Sequence, residues 1–142
     1  LFTELGERIQ TIGGEFGATT GRKRRCGWLD LPLLKYAVKA SNITSIALTK
    51  LDILSGLEEL KVCRAYKYNG KEIDCAYPGI DLEAIEPIFE DMTPFTDDFK
   101  TDVQTPELKT YIEFIEKAIG IKVGILAYGP ERSEIKFLKE YF

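Results

Sequence analysis

Apolar positions recur along this chain on two different periods, and the changes of period mark its elements. Phe2, Leu5, Ile9 and Ile12 stand at helical spacing, which predicts a short amphipathic helix stopped by the Gly13-Gly14 pair. Part of its apolar face is expected to pack on structure beyond this stretch. Residues 31–40 repeat the helical period with Leu33, Leu34, Ala37 and Val38 as a stripe facing a sheet, Asp30 as N-cap and Pro32 in the first turn. Residues 45–48, continuously apolar after the serine, read as a buried strand that delivers Thr49-Lys50-Leu51-Asp52 at its carboxyl end, the end at which open α/β sheets bind ligands. Strand formers fill residues 60–68, and Asn69-Gly70 supplies the two positive-φ positions of a type I′ turn, so residues 71–76 return antiparallel.

Residues 77–102 are broken by Pro78, Pro87 and Pro94 and carry Asp97-Asp98; loops are predicted there, with one short strand around 88–90. Thr105 then caps a helix that has Pro106 at its first position. Leu108, Tyr111, Ile112, Ile115 and Ile119 lie on one face of it, and Gly120 ends it. Residues 122–128 are a last apolar strand before a Gly129-Pro130 turn. The predicted class is α/β, a sheet with flanking helices plus an antiparallel hairpin, with no repeat and no boundary inside residues 1–142.

Composition narrows this without changing it. A chain of 142 residues with 44% hydrophobic content supports one ordinary core, and no apolar run approaches the roughly 18 residues that span a bilayer. The opening residues lack the basic and apolar regions of a secretory signal, and a start at Leu1 reads as a processed or cut chain. Cys26, Cys63 and Cys75 are odd in number and lack metal-ligand spacing, which points to reduced, structural thiols in a cytoplasmic protein. Histidine is absent, so nucleophile–histidine schemes are closed to the chain acting alone.

Candidate chemistry begins at residues 15–30. Gly17 and Gly21 bracket Thr19 and Thr20, and Arg22, Lys23, Arg24 and Arg25 follow in a chain of net charge −4. Glycines allow close approach of backbone N–H groups, threonines add donors, and arginine forks match carboxylate or phosphate oxygens in pairs. A solvated basic loop or a localisation signal is the bland account of such a run. Nucleic-acid binding is disfavoured by the acidic balance and by the lack of an aromatic platform beyond Trp28.

The stretch Gly17-Ala-Thr-Thr-Gly-Arg-Lys-Arg-Arg-Cys-Gly-Trp-Leu-Asp30 resembles the signature of adenylosuccinate synthetase, the GTP-dependent enzyme that joins aspartate to IMP. Ala47-Leu-Thr-Lys-Leu-Asp52, Leu57-Glu-Glu-Leu-Lys-Val-Cys63 and Gly129-Pro-Glu-Arg132 fit the same family in the same order. The resemblance implies the C-terminal part of a larger P-loop-like ligase fold. Family members are considerably longer, and the glycine-rich phosphate loop and catalytic Asp and His lie in a part not present in this sequence. Ala18, Thr19, Thr20, Gly21, Arg22, Lys23 and Arg24 match the loop that closes on aspartate and IMP, with Arg24 also approaching GTP.

Lys50, Leu51 and Asp52 match the guanine-specificity motif Asn/Thr-Lys-x-Asp. Its carboxylate accepts from N1–H and the exocyclic amine of guanine, and a site with a buried acceptor left unpaired by the wrong base discriminates by about 10⁴–10⁵. In a lone tetrapeptide the same residues are more often a surface loop, and the resemblance carried by residues 17–30 reverses that balance. Ala127, Tyr128 and Gly129 match a further guanine-side segment that usually reads Ser-Thr-Gly or Ser-Val-Gly, so only backbone contacts transfer there. Also implied are GTP as co-substrate, Mg²⁺ held mainly by residues outside this chain, a homodimer, and no membrane or nucleic-acid partner. No catalytic residue or metal ligand is assigned within these 142 residues. The isolated chain is expected to be inactive, and a non-catalytic guanine-nucleotide binding module is the alternative.

Overall fold

In the computed structural model, which describes residues 1, 3–100 and 104–138, the first helix α1 (Glu4–Ile12) ends at Gly13, whose N–H bonds to the Ile9 carbonyl. Its buried residues are Gly6 and Gln10, while Ile12 is 55% exposed. Of the apolar stripe predicted for it, Leu5 and Ile9 are half-buried and Ile12 is exposed; Phe2, its first member, lies outside the described residues. A two-residue strand β1 (Leu29–Asp30), absent from the sequence reading, leads into α2 (Leu31–Ala40). Asp30 caps α2 by accepting from Leu33 N–H at 3.0 Å. Leu31, Pro32 and Val38 are the buried positions of α2, and Leu33 is 46% exposed. The buried face is thus rotated from the predicted stripe toward the first turn.

β2 (Ser45–Leu48) has its expected bounds, but Ala47 is exposed and the others are half-buried, as suits an edge strand. A one-turn helix α3 (Leu51–Leu54) follows where a loop was expected. β3 (Leu60–Tyr68) turns through Asn69 (φ 49°) and Gly70 (φ 74°) into β4 (Lys71–Ile73). β4 is shorter than predicted because the chain turns off to give the Ala76 N–H to the Pro32 carbonyl at 2.9 Å. β5 (Glu86–Met92) is longer than the sequence showed and pairs with β3 from Leu60↔Met92 to Lys67↔Glu86. β1 and β4 therefore share the opposite edge of β3, β1 in parallel and β4 antiparallel. Pro87 is tolerated because β5 is an edge strand and its free side needs no N–H.

α4 (Pro106–Ile119) matches the prediction at both ends. Thr105 Oγ1 accepts from Leu108 N–H at 3.3 Å, and Gly120 adopts φ 76°. Leu108, Tyr111, Ile112, Ile115 and Ile119 are all buried and meet Leu31, Leu60, Val62 and Val123 in the main core. Burial of such side chains contributes roughly 1.5–3 kcal/mol each. β6 (Lys122–Ala127) lies parallel to β2 and antiparallel to β7 (Ile135–Phe137), a strand the sequence reading did not include. Two sheets thus stand where one was expected. In the second, Leu48 pairs with Leu126, so the carboxyl ends of β2 and β6 open side by side and their outgoing residues form one rim.

Candidate functional site

The cationic stretch folds as a narrow ribbon. Phe16 and Lys23 form an antiparallel bridge, the Arg24 N–H donates to the Glu15 carbonyl at 3.0 Å, and the Gly17 N–H donates to the Arg22 carbonyl at 2.8 Å. Gly21, at φ 64°, closes the tip with its N–H on the Gly17 carbonyl at 2.8 Å. Gly17 is needed for space, since a Cβ there would lie 2.9 Å from Thr20 Oγ1. That hydroxyl accepts from Arg22 N–H at 3.3 Å and so orders the tip itself. No acceptor among the described residues takes the N–H of Ala18, Thr19 or Thr20, and all three residues are exposed. Exposed amides in a turn, left without an acceptor, are available to donate to an anion. Gln10 of α1 gives its amide to the Arg24 carbonyl and fixes the base of the ribbon. Gly17, Thr20, Arg22, Lys23, Arg24 and Arg25 line a hollow of about 410 Å³; Ala18 and Thr19 stand outside it.

At the second-sheet rim, Thr49, Lys50, Asp52, Ala127 and Gly129 line a hollow of about 290 Å³ together with Gly13 and Gly14. Lys50 sits at φ 65°. Left-handed backbone costs a residue with a side chain about 1–2 kcal/mol, and Lys50 is held there by tertiary contacts. Its ammonium donates to the Gly13 carbonyl at 2.8 Å and pairs with Glu15 Oε1 at 3.2 Å. Leu51 is wholly buried in the core, main chain included, and lies outside the lining of this hollow, so the structure does not present it to a ligand as the resemblance implied. Asp52 also borders a wider hollow of about 530 Å³ with Ser55, Asp97, Phe99 and Tyr128. Ser55 Oγ accepts from Asp97 N–H at 3.0 Å, and Asp97 in turn accepts from the N–H and hydroxyl of Thr105. The Phe99 and Tyr128 rings stack with centroids 5.3 Å apart. This wall was not legible in the sequence, because its partners come from separate loops.

Glu15 connects the two regions. Its Oε2 lies 3.2 Å from Nη1 of Arg24 while Oε1 takes Lys50. Its carboxyl is held below the usual glutamate range, first by the Lys50 bond and then by the Arg24 bond. The ribbon and the Lys50 turn are therefore neighbours across one carboxylate. Sequence reasoning gave Glu15 no role; the available signal was a single acid two positions before a glycine–threonine run and four cations.

The family model for adenylosuccinate synthetase matches residues 1–136. The chain belongs to the adenylosuccinate synthetase family. Relatives named adenylosuccinate synthetase include one from Francisella tularensis subsp. mediasiatica, 59% identical, and one from Francisella philomiragia subsp. philomiragia, 60% identical. Each alignment covers 100% of this chain and 34% of the relative, so the chain spans about a third of the length of those synthetases. The solved structure of fully ligated adenylosuccinate synthetase from Plasmodium falciparum is similar at TM-score 0.88 and 35% identity, over 98% of this chain and 35% of that one. The α/β architecture seen here is accordingly part of a larger ligase fold.

Proposed function

We propose that residues 1–142 form one unit, the C-terminal portion of a longer adenylosuccinate synthetase, and that it supplies aspartate capture and guanine recognition for the GTP-dependent joining of L-aspartate to IMP. The observation that supports this most strongly is the Glu15 carboxylate shared by Arg24 and Lys50, which sets a cationic ribbon beside a strand-tip turn carrying Asp52. The free amides at Ala18, Thr19 and Thr20 receive one aspartate carboxylate. Arg22 meets a carboxylate and nearby IMP oxygens, and Arg24 reaches toward the nucleotide. Each charge-assisted bond of this kind contributes about 1.5–3 kcal/mol. Lys23 supplies further positive charge to the hollow.

On the guanine side, Asp52 accepts from N1–H and the exocyclic amine, the Lys50 stem lies along the base, and the backbone of Ala127, Tyr128 and Gly129 completes the rim. In the reaction, the γ-phosphoryl of GTP passes to the 6-oxygen of IMP. The amine of aspartate then forms the C–N bond at that carbon as the C–O bond breaks, and the oxygen leaves with inorganic phosphate. These residues hold and orient the reactants; none of them acts as general base. Mg²⁺ screens the phosphates in transfers of this type. Among the described residues no group of three or more His, Cys, Asp or Glu is arranged to hold a metal; it is the family resemblance that assigns the ion's ligands to the remainder of the longer chain. No helix among the described residues is long and apolar enough to cross a membrane, and the reading places the enzyme in the cytoplasm as a homodimer.

Asp52→Asn in the full-length chain tests the assignment. An amide presents a donor where the carboxylate accepted, so GTP use falls and xanthosine triphosphate becomes the better substrate. Unchanged preference for GTP removes Asp52 from the guanine role.

A further inference from the structure

The Glu15 contact also bears on how the two loops act together. Its backbone is fixed on both sides: the N–H bonds to the Gln10 carbonyl at 2.9 Å, and the carbonyl accepts from Arg24 N–H at 3.0 Å. The carboxylate leaves this anchored position with one oxygen for each of two cations, both at 3.2 Å. One cation belongs to the ribbon. The other, Lys50, sits in left-handed backbone and has the Gly13 carbonyl as its second acceptor. Glu15 is thus positioned to hold Lys50 in an unfavourable geometry and to set the place of Arg24.

We propose that Glu15 is a positioning residue that couples the Lys50 turn to the cationic ribbon, so that nucleotide bound at one tightens amino-acid binding at the other. The inference rests on the functional reading above and adds to it the residue through which the two sites communicate. A base lying on Lys50 immobilises the Lys50–Glu15 arm. The second Glu15 oxygen then holds Arg24 with less freedom to lose, so the ordering cost of the ribbon is partly met before aspartate arrives. Linkage requires the effect to be equal in the reverse direction. Gln at position 15 keeps the length of the side chain but loses the charge that attracts both cations. Asp keeps the charge but is one methylene shorter, too short to serve both partners from the same anchored backbone.

The test uses the full-length chain saturated with IMP and measures the aspartate dissociation constant with and without a non-hydrolysable GTP analogue. In the unaltered protein the analogue is expected to tighten aspartate about fivefold or more, within the usual span of allosteric coupling, and aspartate to tighten the analogue by the same factor. In Glu15→Gln the factor falls to about one, and Glu15→Asp lies between. A residue that merely supports the fold weakens both ligands and leaves their ratio unchanged. An undiminished factor in folded Glu15→Gln, or in Glu15→Asp should the first variant not fold, overturns the coupling role, as does unaltered protein that binds both ligands independently. Failure of the unaltered protein to bind either ligand overturns the functional reading itself.

Discussion

Asp30 ties the start of α2 to Tyr66 in β3, and its removal has a cost that can be worked from its contacts. The carboxylate accepts from Leu33 N–H at 3.0 Å as the cap of α2, and both its oxygens lie 2.6 Å from the Tyr66 hydroxyl. Tyr66 is 1% exposed, and burial, reinforced by the Asp30 charge, pushes its phenol well above the ordinary range, so it remains a donor. Asp30→Ala loses a helix cap, about 1 kcal/mol, and a charge-assisted bond of about 1.5–3 kcal/mol. The sum is about 3 kcal/mol. Asp30→Asn keeps the cap and one neutral bond, so its cost is about 1 kcal/mol. Hydrogen exchange of the α2 amides in the full-length chain reads the difference. Protection in Asp30→Ala should fall about a hundredfold and in Asp30→Asn less than tenfold. Tyr66→Phe should cost little once Asp30 is alanine. Equal losses for Ala and Asn, or a tyrosine effect of the same size in both backgrounds, would refute the assignment of the larger share to the Tyr66–Asp30 bond.

Three other outcomes are expected. A carboxyl whose folded value is lowered contributes fully above its ordinary value, 4.5 for Glu15, and loses that contribution as pH falls from there through the lowered value; exchange protection at the ribbon amides should therefore be constant above the ordinary value, decline between the ordinary and the lowered value, and show no such step in Glu15→Gln. Leu51→Ala, in a wholly buried position, should destabilise by about 2–5 kcal/mol while the preference of the folded variant for guanine is retained, measured by denaturant unfolding and by competition between nucleotides. Burial first, and then the Asp30 charge, raises the Cys63 thiol to about 11, so alkylation at pH 8 followed by mass spectrometry should find Cys26 and Cys75 modified well before Cys63.

The sequence disclosed most where local chemistry and periodicity agree. α4 carries its threonine cap, its N-terminal proline, five core residues on one face and a left-handed glycine, and both of its ends were legible. Asn69-Gly70 likewise showed the hairpin. β5 was under-read because its residues are mostly exposed, so strand identity there comes from pairing with β3 rather than from its own alternation. β1, at two residues, and β7, at three, are too short for any period to register. The ribbon residues could be named from their chemistry, and the Thr49–Asp52 turn from its resemblance to a family motif. Their shared carboxylate could not, because the Glu15–Lys50 pair spans 35 positions along the chain and no local pattern reports a contact of that range.

A methyl group placed on Gly129 would overlap the Glu134 carboxylate, which is itself held by Glu131 N–H at 2.8 Å while the Glu134 carbonyl takes the Tyr128 N–H at 3.0 Å. The last turn before β7 is thus clasped from outside, and its Ala127 and Gly129 line the hollow beside Lys50 and Asp52. The Tyr128 ring borders the wider hollow beside Asp52 and stacks on Phe99, so exchange there alters the wall, and at Gly129 any larger residue must first unseat the clasp.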